Sequence, residues 1–188
     1  MHVQATRLQG VILLTPSPLH DPRGYFVETY NRRGVTDAGI VAEFVQDNQS
    51  MSVRTGTVRG LHFQLFPKPQ AKLVRVLRGS IYDVAVDLRL DSPTYGQWVG
   101  ENLTATGGEQ MFIPRGFAHG FCSLEPETEV LYKVDEYYAP EFDSGLAWDD
   151  PTLAITWPCS PTEAILSGKD RTLGRFADFS SPFRYSGP

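Results

Sequence analysis

Lys72-Leu73-Val74-Arg75-Val76-Leu77-Arg78-Gly79-Ser80-Ile81-Tyr82-Asp83-Val84-Ala85-Val86-Asp87-Leu88-Arg89 is the stretch that decides the fold. In its second half Tyr82, Val84, Val86 and Leu88 share one face of an extended chain, while Asp83, Ala85, Asp87 and Arg89 share the other. A period of two belongs to a β-strand and excludes a helix here. Residues 72–77 read as the preceding strand and Gly79 as the turn, so the two runs are expected to form a β-hairpin.

Outward from this stretch, similar short runs predict strands at 26–30, 44–52, 56–64, 97–103, 109–113, 116–124 and 128–137. The 17 glycines and 14 prolines punctuate them and leave room for a helical turn near 31–38 and another near the C-terminus. Many short strands at close spacing point to an all-β antiparallel sandwich or barrel. With 188 residues, 41% of them hydrophobic and 12% aromatic, the chain can bury the core of one domain, 1–188. That core is expected over about 8–158, with 159–188 as a wrapping segment that opens on Trp157-Pro158-Cys159-Ser160-Pro161.

Gly10-Val11-Ile12-Leu13-Leu14 is among the longest apolar runs, far short of the ~20 residues that cross a membrane. No basic region, apolar run and small-residue cleavage site stand at the N-terminus, so a soluble cytoplasmic protein without a membrane partner is expected. A formal net charge of -5 argues against a nucleic-acid binder with a broad basic face, though not against a small anionic ligand where basic residues converge. Cys122 and Cys159 form no CxxC pair, which gives a redox motif or a zinc site little support, and Cys122 reads as a buried strand residue.

Arg59-Gly60-Leu61-His62-Phe63-Gln64, together with Lys72 and Tyr132, gathers a base, a cation and a phenol next to strand-like sequence. A histidine can remove a proton from carbon beside a carbonyl, a lysine can stabilise the enolate oxygen, and a tyrosine can return a proton from the opposite side. That set suits an epimerisation without a redox cofactor. Arg59 and His62 have opposite parity, so a bulge or a neighbouring subunit is needed for both to serve one cavity.

From Gly108 to His119 the chain fits the second cupin motif: a glycine, five residues, then Pro114-Arg115-Gly116-Phe117-Ala118-His119. Metal-binding cupins pair this with an earlier His-x-His and a glutamate. Here the earlier strand reads His62-Phe63-Gln64, so no metal site is expected from the ligands present.

The chain as a whole resembles the dTDP-4-dehydrorhamnose 3,5-epimerase family of cupins over about residues 8–172. The likeness rests on Asp21-Pro22-Arg23-Gly24-Tyr25-Phe26-Val27-Glu28, Gln46-Asp47-Asn48-Gln49-Ser50, Val58-Arg59-Gly60-Leu61-His62-Phe63-Gln64 and Ala71-Lys72-Leu73-Val74-Arg75. It continues through residues 83–89, Ser92-Pro93-Thr94, residues 114–121, Tyr132-Lys133, Asp149-Asp150-Pro151, Trp157-Pro158 and Ser167-Gly168-Lys169-Asp170.

The resemblance implies a cupin jelly-roll homodimer with short peripheral helices. It would convert dTDP-4-dehydro-6-deoxy-D-glucose to dTDP-4-dehydro-L-rhamnose, the third step of dTDP-L-rhamnose biosynthesis, with no cofactor. It makes His62 the general base oriented by Asp170, Tyr132 the acid, and Lys72 the cation at the C4 oxygen. Arg23, Arg59 and Lys169 then suit the diphosphate, as guanidinium groups pair two phosphate oxygens at once. Glu28, Gln46, Asp47, Asn48 and His119 are assigned to the sugar or nucleotide, and Phe26 to the thymine base. Family members exchange N-terminal strands, so Arg23, Phe26 and Glu28 are expected to serve the other subunit's site. Asp143 departs from the family's usual glutamate, and its contact with the sugar stays open at this level. Two rival readings are an epimerase acting at a single centre and a non-catalytic sugar-nucleotide-binding cupin.

Overall fold

The structure is a computed structural model that describes residues 1–187. Its strands are β1 His2–Ala5, β2 Ile12–Thr15, β3 Leu19–Asp21, β4 Gly24–Phe26, β5 Gln46–Ser52, β6 Val58–Gln64 and β7 Lys72–Arg78. They continue as β8 Ser80–Asp87, β9 Trp98–Thr104, β10 Gln110–Ile113, β11 Phe117–Ser123, β12 Thr128–Val134 and β13 Asp143–Gly145. One short helix, α1 Arg32–Asp37, is capped by Asn31, whose side chain accepts from the Arg33 and Gly34 amides at 2.9 and 3.3 Å. Such a cap satisfies amide donors that a helix start leaves unpaired. The other helical pieces are single 3-10 turns, including Asp170–Thr172 and Phe176–Asp178 in place of the expected C-terminal helix.

The strands form a jelly-roll sandwich of a six-stranded sheet, β1-β2-β10-β7-β12-β5, and a five-stranded sheet, β13-β6-β11-β8-β9. β3 and β4 stand apart as a two-stranded ribbon. Among the described residues no helix is long and apolar enough to cross a membrane.

The expected hairpin of residues 72–88 does not form. β7 lies between β10 and β12 in one sheet, and β8 between β11 and β9 in the other. The common tight hairpin needs two loop residues, and only Gly79 separates these strands. Gly79, at φ +76°, instead turns the chain a corner from sheet to sheet; a Cβ there would meet Thr128 Oγ1 at 2.5 Å. One continuous stretch thereby supplies both walls of the sandwich.

Burial follows from this corner. Ile81 and Ala85 face Val74, Val76, Met111 and Val130 across the sandwich interior. Asp83 and Asp87 share their parity, so the more polar face of β8 is the one turned inward. The apolar face, with Val84, Val86 and Leu88, packs against Leu146, Leu153 and Phe183. The C-terminal segment therefore contributes to the core beyond the expected limit at 158, and burying Phe183 alone is worth about 1.5–3 kcal/mol.

The predicted strand at 26–30 is instead the end of the β3–β4 ribbon, which stops at Phe26. The predicted strand at 128–137 ends at Val134, and several others start one or two residues late. β1, β2, β3 and β13 were not expected. β13 reads Asp-Ser-Gly, without a strand-forming residue, and is extended because it pairs with β6.

Candidate active site

A cleft opens between the two sheets as adjoining lobes of about 250 and 370 Å³. His62, Lys72, Tyr132 and Lys169 line both lobes. Gln46, Asn48 and Asp143 complete the first; Arg59, His119 and Asp170 complete the second.

A β-bulge resolves the parity conflict on β6. His62 pairs with His119 and Arg59 with Phe121, so Gly60 and Leu61 together oppose Gly120 alone. Gly60 sits at φ +138°, and a Cβ on it would come within 2.5 Å of Gly120 Cα. The extra residue restores Arg59 and His62 to the same cavity.

His62 Nε2 lies 2.6 Å from Asp170 Oδ1. A neutral imidazole donating through Nε2 keeps its Nδ1 lone pair as the basic site. Burial alone would raise the Asp170 pKa, but the His62 hydrogen bond and charge, Ser167 and Lys169 outweigh it and hold the carboxyl below its ordinary value. The pair is therefore a carboxylate orienting an imidazole.

Lys72, 8% exposed, enters from the opposite sheet and donates to the His62 carbonyl at 3.4 Å. Burial pushes its pKa down to about 8, against the attraction of Asp83 and Asp143. If its ammonium form stabilises an oxyanion, kcat/KM must fall above about pH 8 by about tenfold per pH unit. A pH profile of the free enzyme's kcat/KM checks this, and a plateau extending to pH 10 would remove Lys72 from that role.

Tyr132, half-buried on β12, has its pKa raised by burial, with Arg59 opposing and Asp143 and Tyr138 adding to the rise. Its phenol therefore keeps its proton at neutral pH and can act as an acid. His119 Nε2 lies 2.7 Å from Asp83 Oδ1, and burial pushes the imidazole pKa down despite that carboxylate. A neutral His119 can hydrogen-bond a ligand without adding positive charge.

Gln46 and Asn48 reach the cleft from β5, linked at 2.9 Å. Asp47, between them, does not: alternation turns it to the outer face, where it pairs with Lys133 at 2.9 Å. Asp143 lines the cleft, accepts from the Tyr138 hydroxyl at 3.1 Å and pairs with Lys169. Arg59 donates to the Met51 carbonyl at 3.0 Å.

Arg23, Phe26 and Glu28 also lie away from the cleft of their own chain. They belong to the β3–β4 ribbon and the exposed chain just after it. The Arg23 side chain is 90% exposed and, among the described residues, paired only with Asp21 at 2.5 Å; Phe26 is 70% exposed.

Asp83, Ser167 and Tyr138 were not singled out as site residues. Asp83 is fully buried, and its Oδ2 has no hydrogen-bond partner among the described residues. The signal for it was its parity with Ala85, once the corner at Gly79 is known. Ser167 Oγ accepts from the Asp170 amide at 3.1 Å, a Ser-x-x-Asp turn that the sequence does display.

Against this geometry, the sequence model of the dTDP-4-dehydrorhamnose 3,5-epimerase family matches residues 5–178. The enzyme of that name from Methanothermobacter thermautotrophicus is 53% identical over 167 residues, 88% of this chain and 89% of its own. The Bacillus anthracis dTDP-4-dehydrorhamnose 3,5-epimerase, solved with TDP and PPi bound, superposes with a TM-score of 0.89 at 51% identity, covering 93% of this chain and 98% of that one. The Legionella pneumophila dTDP-6-deoxy-D-glucose-3,5-epimerase, in complex with dTDP-4-keto-L-rhamnose, gives 0.92 at 40% identity over 99% of both chains. Matches of this identity and extent, over a cleft that gathers His62, Lys72, Tyr132, Lys169 and Asp170, show that the chain belongs to the dTDP-4-dehydrorhamnose 3,5-epimerase family.

Proposed function

We propose that the chain works as a cytoplasmic homodimer that epimerises C3 and C5 of dTDP-4-dehydro-6-deoxy-D-glucose, giving dTDP-4-dehydro-L-rhamnose. The observation that carries this reading is the division of groups between facing sheets: His62 with Asp170 on one wall, Lys72 and Tyr132 on the other. The cleft between these walls, with lobes of about 250 and 370 Å³, has room for a pyranose ring. Inversion at carbon requires a proton to leave one face and another to arrive at the opposite face. Groups on the two walls meet that requirement.

The ketone at C4 acidifies the hydrogens on C3 and C5. His62 takes the proton from one carbon, the electron pair moves into the carbonyl, and the Lys72 ammonium stabilises the enolate oxygen. Tyr132 donates its phenolic proton to the other face of that carbon and restores the ketone. Solvent exchange returns a proton to Tyr132 and removes one from His62, and the cycle repeats at the second carbon.

Turnover in deuterium oxide followed by proton NMR tests this, with deuterium expected at both C3 and C5. Label at one carbon only would make the protein a single-centre epimerase, and binding without any label would make it a sugar-nucleotide-binding cupin.

The exposed Arg23, Phe26 and Glu28 fit the dimer reading, in which the β3–β4 ribbon completes the neighbouring site. Co-expressed R23A and H62A chains are then expected to recover activity that neither homodimer has, because each mixed dimer retains one intact site. Failure of mixed dimers to recover activity would return Arg23 to its own chain.

A further inference from the structure

Cys122 and Cys159, which the proposed reaction does not use, approach each other beneath the C-terminal segment. Their Sγ atoms are 3.5 Å apart, in a cluster with Val58, Trp148 and Trp157. Cys122 is buried on β11, whereas Cys159 is half-buried and borders a surface pocket. Just beyond Cys159 the chain becomes a strap along the start of β6. Ile165 donates to the Gly56 carbonyl and accepts from the Val58 amide, each at 2.9 Å. The strap then brings Ser167, Lys169 and Asp170 to the cleft.

We propose that Cys122 and Cys159 form a redox modification site, in which a low-molecular-weight disulfide converts the two thiols to an intramolecular disulfide and locks the strap that carries Asp170. The accessible Cys159 thiolate attacks the small disulfide, RSSR, forming a mixed disulfide and releasing one RSH. The Cys122 thiolate then attacks Cys159 Sγ and releases the second RSH. Two cysteine thiols are oxidised, one RSSR is reduced to two RSH, and the cysteine protons leave on the released thiols. Burial, with the hydrogen bond to Cys159, pushes the Cys122 thiol above its usual range, which makes it the resolving thiol and not the one that attacks first. The bond would span 37 residues of sequence.

The test is incubation of the intact enzyme with oxidised glutathione at pH 8, followed by thiol titration, intact mass and peptide mapping. Both thiols should disappear with loss of two hydrogen atoms, the Cys122 and Cys159 peptides should be linked, and Tm should rise by about 10 °C. Dithiothreitol should reverse all three, and C159S should show none. A glutathione adduct that stays on Cys159, unchanged thiols, or a linked protein of unchanged Tm would each overturn the proposal.

Discussion

His62→Ala is expected to lower kcat by about 10⁴-fold, roughly 5.5 kcal/mol of barrier, with a much smaller change in KM. Alanine leaves Asp170 at the end of the strap with no imidazole to orient. The remaining cleft imidazole, His119, is a poorer substitute, because burial lowers its pKa despite the Asp83 carboxylate and so weakens it as a base. Deuterium exchange at C3 and C5 should disappear together with product. Tyr132→Phe supplies the contrast, because it removes the acid and keeps the base. There, product formation should fall by about 10²-fold while exchange persists, as His62 returns a solvent-derived proton to the face from which it came. If His62→Ala exchanges label at the wild-type rate, the base is some other group and the mechanism fails.

Lys72→Met is expected to lower kcat by about 10³-fold, the size of effect seen when one oxyanion-stabilising donor is lost. The same substitution should make the folded protein more stable at pH 7. Lys72 is buried and its pKa falls from 10.5 to about 8, so the folded state resists its charge. At pH 7 that resistance costs about 3 kcal/mol, because a tenfold change in proton affinity between folded and unfolded chains is worth about 1.4 kcal/mol. Between about pH 8 and 10.5 the unfolded chain keeps the proton and the folded chain sheds it, so wild-type stability rises with pH across that window. The advantage of Lys72→Met should therefore be greatest at pH 7 and shrink toward pH 10. Urea unfolding at both pH values measures it. A variant less stable than wild type at pH 7 would mean that Lys72 holds the fold together, against the reading of a charge kept for the reaction.

Much of the architecture was legible because strand periodicity is local. Residues 80–88 alternate, and residues 80–87 form β8. The pairing of strands was not legible in the same way: the hairpin expected at Gly79 became a corner between sheets, and three-residue β13 exists only because β6 pairs with it. His62, Lys72 and Tyr132 could be named from residue type and neighbouring sequence. Asp170 came through resemblance alone, since 108 residues separate it from His62. Asp83 was not legible, because an aspartate on an alternating strand reads as its polar, outward face.

The order of residues, then, determined which segments extend and which side chains could do proton chemistry, because both depend on a residue and its near neighbours. Which face of β8 turns inward, how a bulge at Gly60 reunites Arg59 with His62, and why Asp47 turns away were decided by the tertiary structure alone. These depend on contacts between strands far apart in the chain, chosen by how the whole sandwich buries its apolar surface and pairs its backbone.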